Sequence, residues 1–465
     1  MLTHLHIQNF KAWRDTGPIR LAPLTVIFGA NSAGKSSLGH LLLALKQTAL
    51  SMNRKRPLHL GDENSLIDLG TFAESLHNHD LSKALAFELG WELPDAPLEV
   101  RDPIHQKRFV GDELRISVSL AADAKAQPRV DTLVYRLLQQ GVSRMEVDYR
   151  RNEQGKLDIT SDTFEFVRHP GRSGPLEEPD KFYRVSDQSR ARLQNAEFLS
   201  DFAAATEAAL NHVYYLGPLR DSPKRLYTWS GETPESVGKK GELSIAAILA
   251  ASAEGRRLSR GSQKPLLRFD EFIAQWLKEL GVIESFAVRP VAQGRPEHEV
   301  MVRTHAAANE VKLTDVGFGV SQVLPTLVQA FYCPPHATVW MEQPEAHLHP
   351  QAQAELADIF IAAVQAHENG KARHAQLILE SHSEHFLNRL QRRVAEGVLK
   401  AEDVAVYFCR RAGSATELDA LRLNTFGEIE NWPENFFGDE MADIAGRTLA
   451  AIQRKKRVAD SNGAP

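Results

Sequence analysis

LTVIFGANSAGKSSLGHLL, residues 24–42, is the stretch of this sequence that decides the fold. Its LTVIF segment is an apolar, β-branched run that predicts a buried strand. The following segment, GANSAGKS, fits the pattern GxxxxGK[ST] at every fixed position, and an apolar helical stretch comes directly after it. A strand, a glycine-containing loop and a helix start form the context in which this motif cradles phosphate. The sequence therefore predicts a nucleotide-binding loop.

The residue types of this loop suit a triphosphate. Glycines let backbone N–H groups close on phosphate oxygens, and a helix N-terminus adds partial positive charge. Lys35 is expected to reach the β- and γ-phosphates, and the Ser36 hydroxyl to ligate Mg²⁺. The predicted contacts with the nucleotide come from Asn31, Ser32, Ala33, Gly34, Lys35, Ser36 and Ser37.

Composition bounds the class of protein. The chain has 465 residues, 43% of them hydrophobic, which is enough for two or three domains or for one large domain with insertions. A net charge of −5 argues against a polycation that coats nucleic acid. The two cysteines, Cys333 and Cys409, argue against a disulfide framework. We see neither a signal peptide nor an apolar run of about 18 residues, so we expect a cytoplasmic protein without a membrane span.

Short alternating runs over residues 85–168 predict an antiparallel sheet, and a stretch rich in proline, glycine and charge over 169–188 predicts an exposed loop. Helical patterns cover 189–212, 242–254 and 267–280. The predicted domain boundaries are 1–84 for the first part of a nucleotide-binding head, 85–212 for an antiparallel β subdomain with a helical insertion, 213–455 for the second part of the head, and 456–465 for a disordered tail.

Three further segments complete the predicted site. Residues 336–345, HATVWMEQPE, form a strand that ends in acidic residues. The Glu342 carboxylate, at the end of a strand expected beside the phosphate-loop strand, would hold Mg²⁺ through its water shell. Residues 315–322, DVGFGVSQ, offer backbone N–H groups, a hydroxyl and an amide near a helix start. His382 follows the strand 376–380, where ligand-facing residues also emerge.

The phosphate loop, GFGVSQ, EQPEAHLHP and ESHSEHFL occur in the order seen in ABC-type ATPase heads, and they most resemble the RecF, SMC and OLD branch. The start LHIQNFKAW is similar to that branch's first strand. YYLGPLRDSPKR and GEIENWPENFF resemble a bacterial subgroup of AAA/ABC-like ATPases related to anti-phage ATPases. The resemblance implies an α/β fold: a P-loop NTPase of the ABC-ATPase head type, with an antiparallel β subdomain and a helical/β insertion.

The resemblance also assigns roles to single residues. Glu342 would bind Mg²⁺, His382 would sense the γ-phosphate, and Gly319 with Ser321 would reach ATP across a dimer. The implied partners are a second copy or a higher oligomer assembled with ATP and a protein effector encoded nearby. Nucleic acid stays open as a partner, and no membrane is expected.

This sequence departs from the family pattern in three places. GFGVSQ replaces the transporter-type LSGGQ, and residues 68–72 hold no glutamine where a Q-loop glutamine belongs. Gln343 occupies the position usually held by the catalytic glutamate, so we expect slow ATP hydrolysis. Glu345 is then the nearest spare base, although the Gln343–Pro344 step is expected to turn it toward a partner subunit.

Three functions compete. The first is an ATP-driven dimerising switch that gates an effector in DNA maintenance or phage defence. The alternative is a stand-alone DNA-repair or OLD-like ATPase that acts directly on DNA ends; the stretch after Ser383 shows no Asp-x-Asp for a Toprim nuclease domain, which favours the first function. A transporter ATPase is disfavoured, because LSGGQ is missing and the β-rich insertion is large.

Some residues carry two interpretations. Trp13 could stack on adenine or belong to the core, and Arg220 could contact phosphate or form a surface ion pair. The basic run at 454–457 could contact DNA or remain solvated. Four histidines, His347, His349, His382 and His385, could also suggest a metal site. His347 and His349 are two residues apart, however, which does not place them on one face of a helix.

Overall fold

The computed structural model describes residues 1–93, 96–152, 154–172, 174–262, 264–413, 415–433 and 449–451. The predicted tail, 456–465, and the basic run at 454–457 lie outside these residues. The domain boundaries stay a prediction.

The strands are β1 (Leu2–Phe10), β2 (Trp13–Asp15), β3 (Ile19–Arg20), β4 (Leu24–Gly29), β5 (Leu85–Glu92), β6 (Leu98–Arg101), β7 (Arg108–Gly111), β8 (Glu113–Ala122), β9 (Pro128–Gln139), β10 (Val142–Arg151), β11 (Leu157–Thr160), β12 (Val213–Leu216), β13 (Tyr227–Thr228), β14 (Arg257–Ser259), β15 (Leu267–Arg268), β16 (Ser285–Pro290), β17 (Glu297–Arg303), β18 (Val311–Lys312), β19 (Thr338–Glu342), β20 (His367–Glu368), β21 (Lys371–Ala372), β22 (Gln376–Glu380), β23 (Val404–Ala412) and β24 (Ala415–Leu421).

The helices are α1 (Lys35–Leu50), α2 (Phe72–Ser75), α3 (Asp187–Arg190), α4 (Phe198–Asn211), α5 (Ser244–Ala253), α6 (Phe269–Glu279), α7 (Phe318–Tyr332), α8 (Pro350–Gln365) and α9 (Glu384–Ala395).

The phosphate-loop strand β4 lies inside a mainly parallel sheet with the order β12-β19-β22-β4-β23-β24. The strands β4, β19 and β22 are buried at every position, as expected for parallel strands covered on both faces. The expectation that the acidic strand lies beside β4 was wrong, because β22 lies between β4 and β19. Of the two strands that end in a glutamate, β19 and β22, the one adjacent to the phosphate-loop strand is therefore β22.

An antiparallel sheet with the order β11-β10-β9-β8-β5-β1-β2 forms the second main layer, with β3 paired to β1. The antiparallel sheet predicted over residues 85–168 is confirmed. The first strand of the chain also belongs to it, since β1 pairs with β5. This pairing crosses the domain boundary predicted at residue 84.

Two hydrophobic cores lie on opposite faces of the parallel sheet, because side chains alternate along each strand. Ile27 of β4 packs in the core shared with α1, α4 and the antiparallel sheet. Its neighbours Val26 and Phe28 pack in the core shared with α5 to α9. The parallel sheet is thus the middle layer, and its strand ends carry the polar residues described below.

One buried amide joins the two sheets. Gln376, which is 1% exposed, donates to the carbonyls of Leu2 and Ala22 at 2.7 and 3.1 Å. Its oxygen accepts from the Leu2 N–H at 3.0 Å and from the Thr338 hydroxyl at 2.8 Å. The first residue of β22 therefore ties β1 and β19 together.

The prediction that residues 169–188 form an exposed loop was wrong for its second half. Phe182 and Tyr183 are fully buried, and Leu176 and Val185 are 4% and 3% exposed. Apolar side chains scattered among proline, glycine and charge anchor an irregular segment onto the antiparallel sheet: Tyr135 donates its hydroxyl to the Tyr183 carbonyl at 2.5 Å.

No helix in the described part of the chain is long and apolar enough to cross a membrane.

Candidate functional site

The phosphate loop connects β4 to α1 through backbone conformations that favour glycine. Gly29 and Gly34 have φ values of 147° and 86°. A Cβ at Gly29 would lie 2.5 Å from the Cys409 carbonyl oxygen, so only glycine fits between β4 and β23. The Lys35 ammonium donates to the carbonyls of Gly29 and Ala30 at 2.9 Å each. Burial lowers the pKa of Lys35, and nearby carboxylates oppose that effect.

The predicted loop residues differ in exposure. Asn31 and Ser32 are exposed, Ala33 is buried and Ser36 is half-buried. The Ser37 hydroxyl is already occupied within the chain, because it donates to the Gly34 carbonyl at 2.5 Å and accepts from the Trp13 indole at 2.9 Å. Any contact of these residues with nucleotide stays a prediction.

Trp13 belongs to the core that supports the loop. It is fully buried, and its indole N–H lies 2.9 Å from the Ser37 hydroxyl and 3.1 Å from the Gly34 carbonyl. A side chain without exposed surface cannot stack on an adenine in this conformation. Of its two interpretations, the structure supports the core tryptophan.

Two carboxylates end adjacent strands next to Ser36. Glu342 of β19 pairs in register with Glu380 of β22. Ser36 donates its hydroxyl to Glu380 Oε2 at 2.8 Å, and the Trp340 indole N–H donates to the other oxygen at 2.9 Å. Tyr215 donates to Glu342 Oε1 at 2.7 Å.

These two carboxylates have shifted pKa values in opposite directions. Burial, reinforced by repulsion from Glu342, raises the pKa of Glu380 to about 8. Burial also acts to raise the pKa of Glu342, but the nearby imidazole of His40 and the hydrogen bond from Tyr215 outweigh it and leave that pKa lowered. Glu342 is thus the carboxylate that carries negative charge more readily.

Glu345 lies inside its own chain, so the expectation that it turns toward a partner subunit was wrong. It is 6% exposed, and its Oε1 accepts from the Ser381 hydroxyl at 2.9 Å and from the His382 N–H at 2.7 Å. Gln343 has a left-handed φ of 45°, which folds the chain after β19 back onto the end of β22. Burial raises the pKa of Glu345.

His382 and Gln343 both lie at this edge of the parallel sheet. The His382 ring is half-buried near the backbone of Gly29, and burial followed by the charge of Lys35 lowers its pKa. The backbone N–H of Gln343 donates to the Glu380 carbonyl at 2.9 Å, and its side chain is half-buried. The structure therefore brings Glu342, Gln343, Glu345 and His382 together beside the phosphate loop.

Arg220 also points into this edge. Its guanidinium lies 3.3 Å from the Glu342 carbonyl, and burial lowers its pKa to about 10. A surface ion pair therefore does not describe it. A contact of Arg220 with phosphate stays a prediction.

The predicted signature residues lie at the start of α7. Gly319 is half-buried, and a Cβ there would meet a single neighbouring atom within 4 Å, Leu348 Cδ2 at 3.9 Å. Ser321 is 6% exposed and lines a small cavity that it shares with Asp221 and Tyr227. In this conformation Ser321 is covered by its own chain.

Sequence reasoning missed the roles of Glu380, Tyr215 and His40. Glu380 ends an apolar run, QLILE, where a charged residue is itself a signal. His40 lies four residues after Ser36, which places both on one face of α1, and its Nε2 lies 3.7 Å from Glu342 Oε1. No local signal identifies Tyr215, because its partner is remote in sequence.

The residues at this edge suit a nucleotide and a hard cation. Several buried side-chain atoms of the described residues find no hydrogen-bond partner, and three of them lie at this edge: Glu345 Oε2, Arg220 Nη1 and His382 Nε2. Such atoms call for a polar ligand. No group of three or more His, Cys, Asp or Glu side chains in the described part of the chain is arranged to hold a metal. A cation here would therefore also need Ser36 and phosphate oxygens.

The loop at the end of β4, the acidic end of β19 and the histidine after β22 lie together at one edge of the parallel sheet, which is the arrangement of a P-loop ATPase. The chain belongs to the family described as "AAA domain, putative AbiEii toxin, Type IV TA system", whose model matches residues 24–388. This family makes the chain an ATPase in general, with a nucleotide and usually Mg²⁺ as cofactors. A second model, "Protein of unknown function (DUF3696)", matches residues 399–446.

Solved structures of SMC heads are similar to this chain. A head bound to the C-winged helix domain of ScpA has 12% identity and a TM-score of 0.40, covering 91% of this chain and 98% of that chain. A head domain from Thermotoga maritima has 10% identity and a TM-score of 0.38, with coverages of 90% and 98%. A head with an extended coiled coil, bound to the C-terminal domain of ScpA derived from Pyrococcus furiosus, has 10% identity and a TM-score of 0.40, with coverages of 91% and 96%. No curated protein matches.

Proposed function

We propose that this chain binds ATP with Mg²⁺ at the phosphate loop, that two chains enclose two ATP molecules, and that this assembly gates an effector protein in the cytoplasm. The observation that supports ATP binding is the convergence of Lys35, Ser36, Glu342 and His382 at one edge of the parallel sheet.

In this proposal Lys35 neutralises phosphate charge, and Ser36 and Glu342 hold the cation. Mg²⁺, when bound, supplies charge that neutralises the phosphates. His382 contacts the γ-phosphate from the end of β22. Glu345 positions His382, since its carboxylate accepts the His382 backbone N–H.

Lys35→Ala tests ATP binding. Loss of the ammonium is expected to weaken ATP binding by at least about 100-fold, or about 2.7 kcal/mol. Isothermal titration calorimetry measures this, and Lys83→Ala, an exposed lysine on the antiparallel-sheet side, is the control. Equal affinities for Lys35→Ala and wild type would rule out the site.

Gly319→Arg tests the assembly. Gly319 suits this experiment better than Ser321, because Ser321 is buried and an arginine there would disturb folding. We expect Gly319→Arg to bind ATP normally as a monomer and to lose the mass increase that ATP causes in light scattering. Ala204→Arg, on the exposed side of α4, is the control. An assembly that survives in Gly319→Arg would exclude a role of the α7 start across the interface.

We further propose that hydrolysis is slow, because an amide at Gln343 cannot accept a proton as a carboxylate does. Loss of a general base typically lowers rates by ~10²–10⁴-fold. Gln343→Glu is expected to raise kcat by at least about tenfold, and Glu345→Gln, which keeps the side-chain shape, to change it by less than about threefold. In single-turnover assays, a fast wild type inactivated by Glu345→Gln would identify Glu345 as the base instead.

The toxin system in the family description supports an effector as the partner. We expect the product of a neighbouring open reading frame to co-purify with the wild type in ATP and to be lost from Gly319→Arg. If the effector co-purifies with both the wild type and Gly319→Arg, effector binding does not depend on the assembly.

A further inference from the structure

The carboxylate in direct contact with Ser36 belongs to Glu380. Ser36 donates to its Oε2 at 2.8 Å, and Trp340 donates to its Oε1 at 2.9 Å. Glu380 is 1% exposed and Trp340 is also 1% exposed. Two donors from different elements therefore fix both oxygens of this carboxylate beside the phosphate loop.

Strand order explains this placement. Because β22 lies between β4 and β19, Glu380 pairs with Ile27 on one side and with Glu342 on the other. Neighbouring strands lie about 4.8 Å apart, so the two carboxylates end adjacent strands at the same edge. Glu380 thus stands between Ser36 and Glu342.

The charges at this edge are incompletely compensated. Three buried carboxylates, Glu342, Glu345 and Glu380, share it with the cationic side chains of Lys35 and Arg220. One oxygen of Glu345 has no hydrogen-bond partner among the described residues. Hydroxyl and carboxylate oxygens are the ligands that small divalent cations prefer.

We propose that Glu380 is a second acidic residue of the divalent-cation site, held in position by Ser36 and Trp340. This inference rests on the proposed binding of Mg²⁺ with ATP. If so, Glu380 strengthens ATP binding when the cation is present. When the cation is absent, it weakens ATP binding because it repels the phosphates.

Glu380→Gln separates these two effects, because the amide keeps the shape and removes the charge. Calorimetry with ATP in excess Mg²⁺ is expected to show affinity weakened at least about tenfold relative to wild type. Calorimetry with ATP in EDTA is expected to show affinity that is equal or a few-fold tighter, since repulsion is removed. Electron paramagnetic resonance of Mn²⁺ with ATP reports cation binding directly. The affinity for Mn²⁺ should be weaker in the same variant.

Three reference variants make the result interpretable. Glu342→Gln should behave as Glu380→Gln does: its affinity for ATP should be weaker in Mg²⁺ and equal or tighter in EDTA. Glu380→Asp keeps the charge and should retain more of the Mg²⁺ dependence than Glu380→Gln. Glu368→Gln, which alters a partly buried glutamate paired with Arg256 at 2.6 Å, should bind as the wild type does.

Each outcome decides the proposal. An unchanged ratio of affinities in Mg²⁺ and EDTA for Glu380→Gln would overturn it. Equal weakening in both conditions would assign Glu380 a structural role and overturn it as well. A wild type that binds no ATP in either condition would overturn the proposed function, and with it this inference.

Discussion

The antiparallel and parallel sheets hold their carboxylates in opposite ways, with Glu88 half-buried in the first and Glu380 fully buried in the second. In the antiparallel sheet, Glu88 lies 3.1 Å from His4 Nε2 and 3.1 Å from an Arg136 nitrogen, and it accepts from the Ser117 hydroxyl at 2.8 Å. In the parallel sheet, Glu380 accepts from neutral donors and has a carboxylate as its neighbour in register.

The pKa values express this difference. The hydrogen bond from His4 contributes most to lowering the pKa of Glu88 to about 2, whereas burial raises the pKa of Glu380 to about 8. The charge of Glu88 stabilises the folded state, and the charge of Glu380 destabilises it. The charge of Glu88 therefore supports the fold, whereas Glu380 is held at a cost to stability, which agrees with the ligand role proposed for it.

Packing differs between the two sheets as well. A Cβ at Gly39 of α1 would lie 2.4 Å from the ring of the buried Trp340 on the parallel sheet. A Cβ at Gly90 of the antiparallel sheet would lie 3.0 Å from Arg115 Cγ and from Thr3 Oγ1 and 3.2 Å from His4 Cβ, so its neighbours would have to shift by only a few tenths of an ångström. The packing of α1 on the parallel sheet therefore tolerates added side-chain volume less well than the antiparallel sheet does.

The largest expected effect is that of Gly39→Ala. Because Trp340 is enclosed, we expect a loss of about 2–3 kcal/mol in the free energy of unfolding, measured by urea denaturation. Gly90→Ala is the matched control, with an expected loss of less than about 1 kcal/mol since Arg115 can move. Similar losses at both glycines would contradict the difference in packing.

A smaller effect is expected for Glu88→Gln. Removing its charge should cost about 1–2 kcal/mol at pH 7, a value reduced for partial solvent exposure. A lowered pKa stabilises the fold above the unfolded value of about 4.3, and this stabilisation is lost as the pH falls toward about 2. In urea denaturation, the difference in free energy of unfolding between variant and wild type should become smaller below about pH 4. A gap that does not change with pH would identify a packing effect.

The smallest effect, of opposite sign, is expected for Glu380→Gln. Without nucleotide or cation, the amide avoids the cost of burying a carboxyl group and its repulsion with Glu342, which should stabilise the protein by about 1 kcal/mol, partly offset by one weakened hydrogen bond. Urea denaturation in EDTA measures it. A loss of stability above about 1 kcal/mol would show that the carboxylate serves the fold.

The sequence predicts what depends on local pattern. The phosphate loop after β4, the strand β19 and the helices α5 and α6 follow from motif and periodicity, and the structure confirms them. The order of strands depends on remote pairing, so the position of β22 beside β4 could not be read locally.

The same limit applies to single residues. The contact of Glu380 with Ser36 follows from the pairing of β22 with β4, which the sequence does not reveal. The burial of Phe182 was hidden because its surroundings are rich in charge and proline. The direction of Glu345 depended on the left-handed backbone at Gln343, a residue type that seldom adopts it.

The amide of Gln376 limits how this protein could be shortened or recombined. Two donor and two acceptor positions of this one side chain are filled by groups of Leu2, Ala22 and Thr338. Asparagine is too short to replace it, and glutamate has no N–H to donate. A variant that deletes the antiparallel sheet, or exchanges it for that of a relative, would leave this amide unsatisfied in the interior. The two sheets are thus coupled as one structural unit, joined at the strand whose other end carries Glu380.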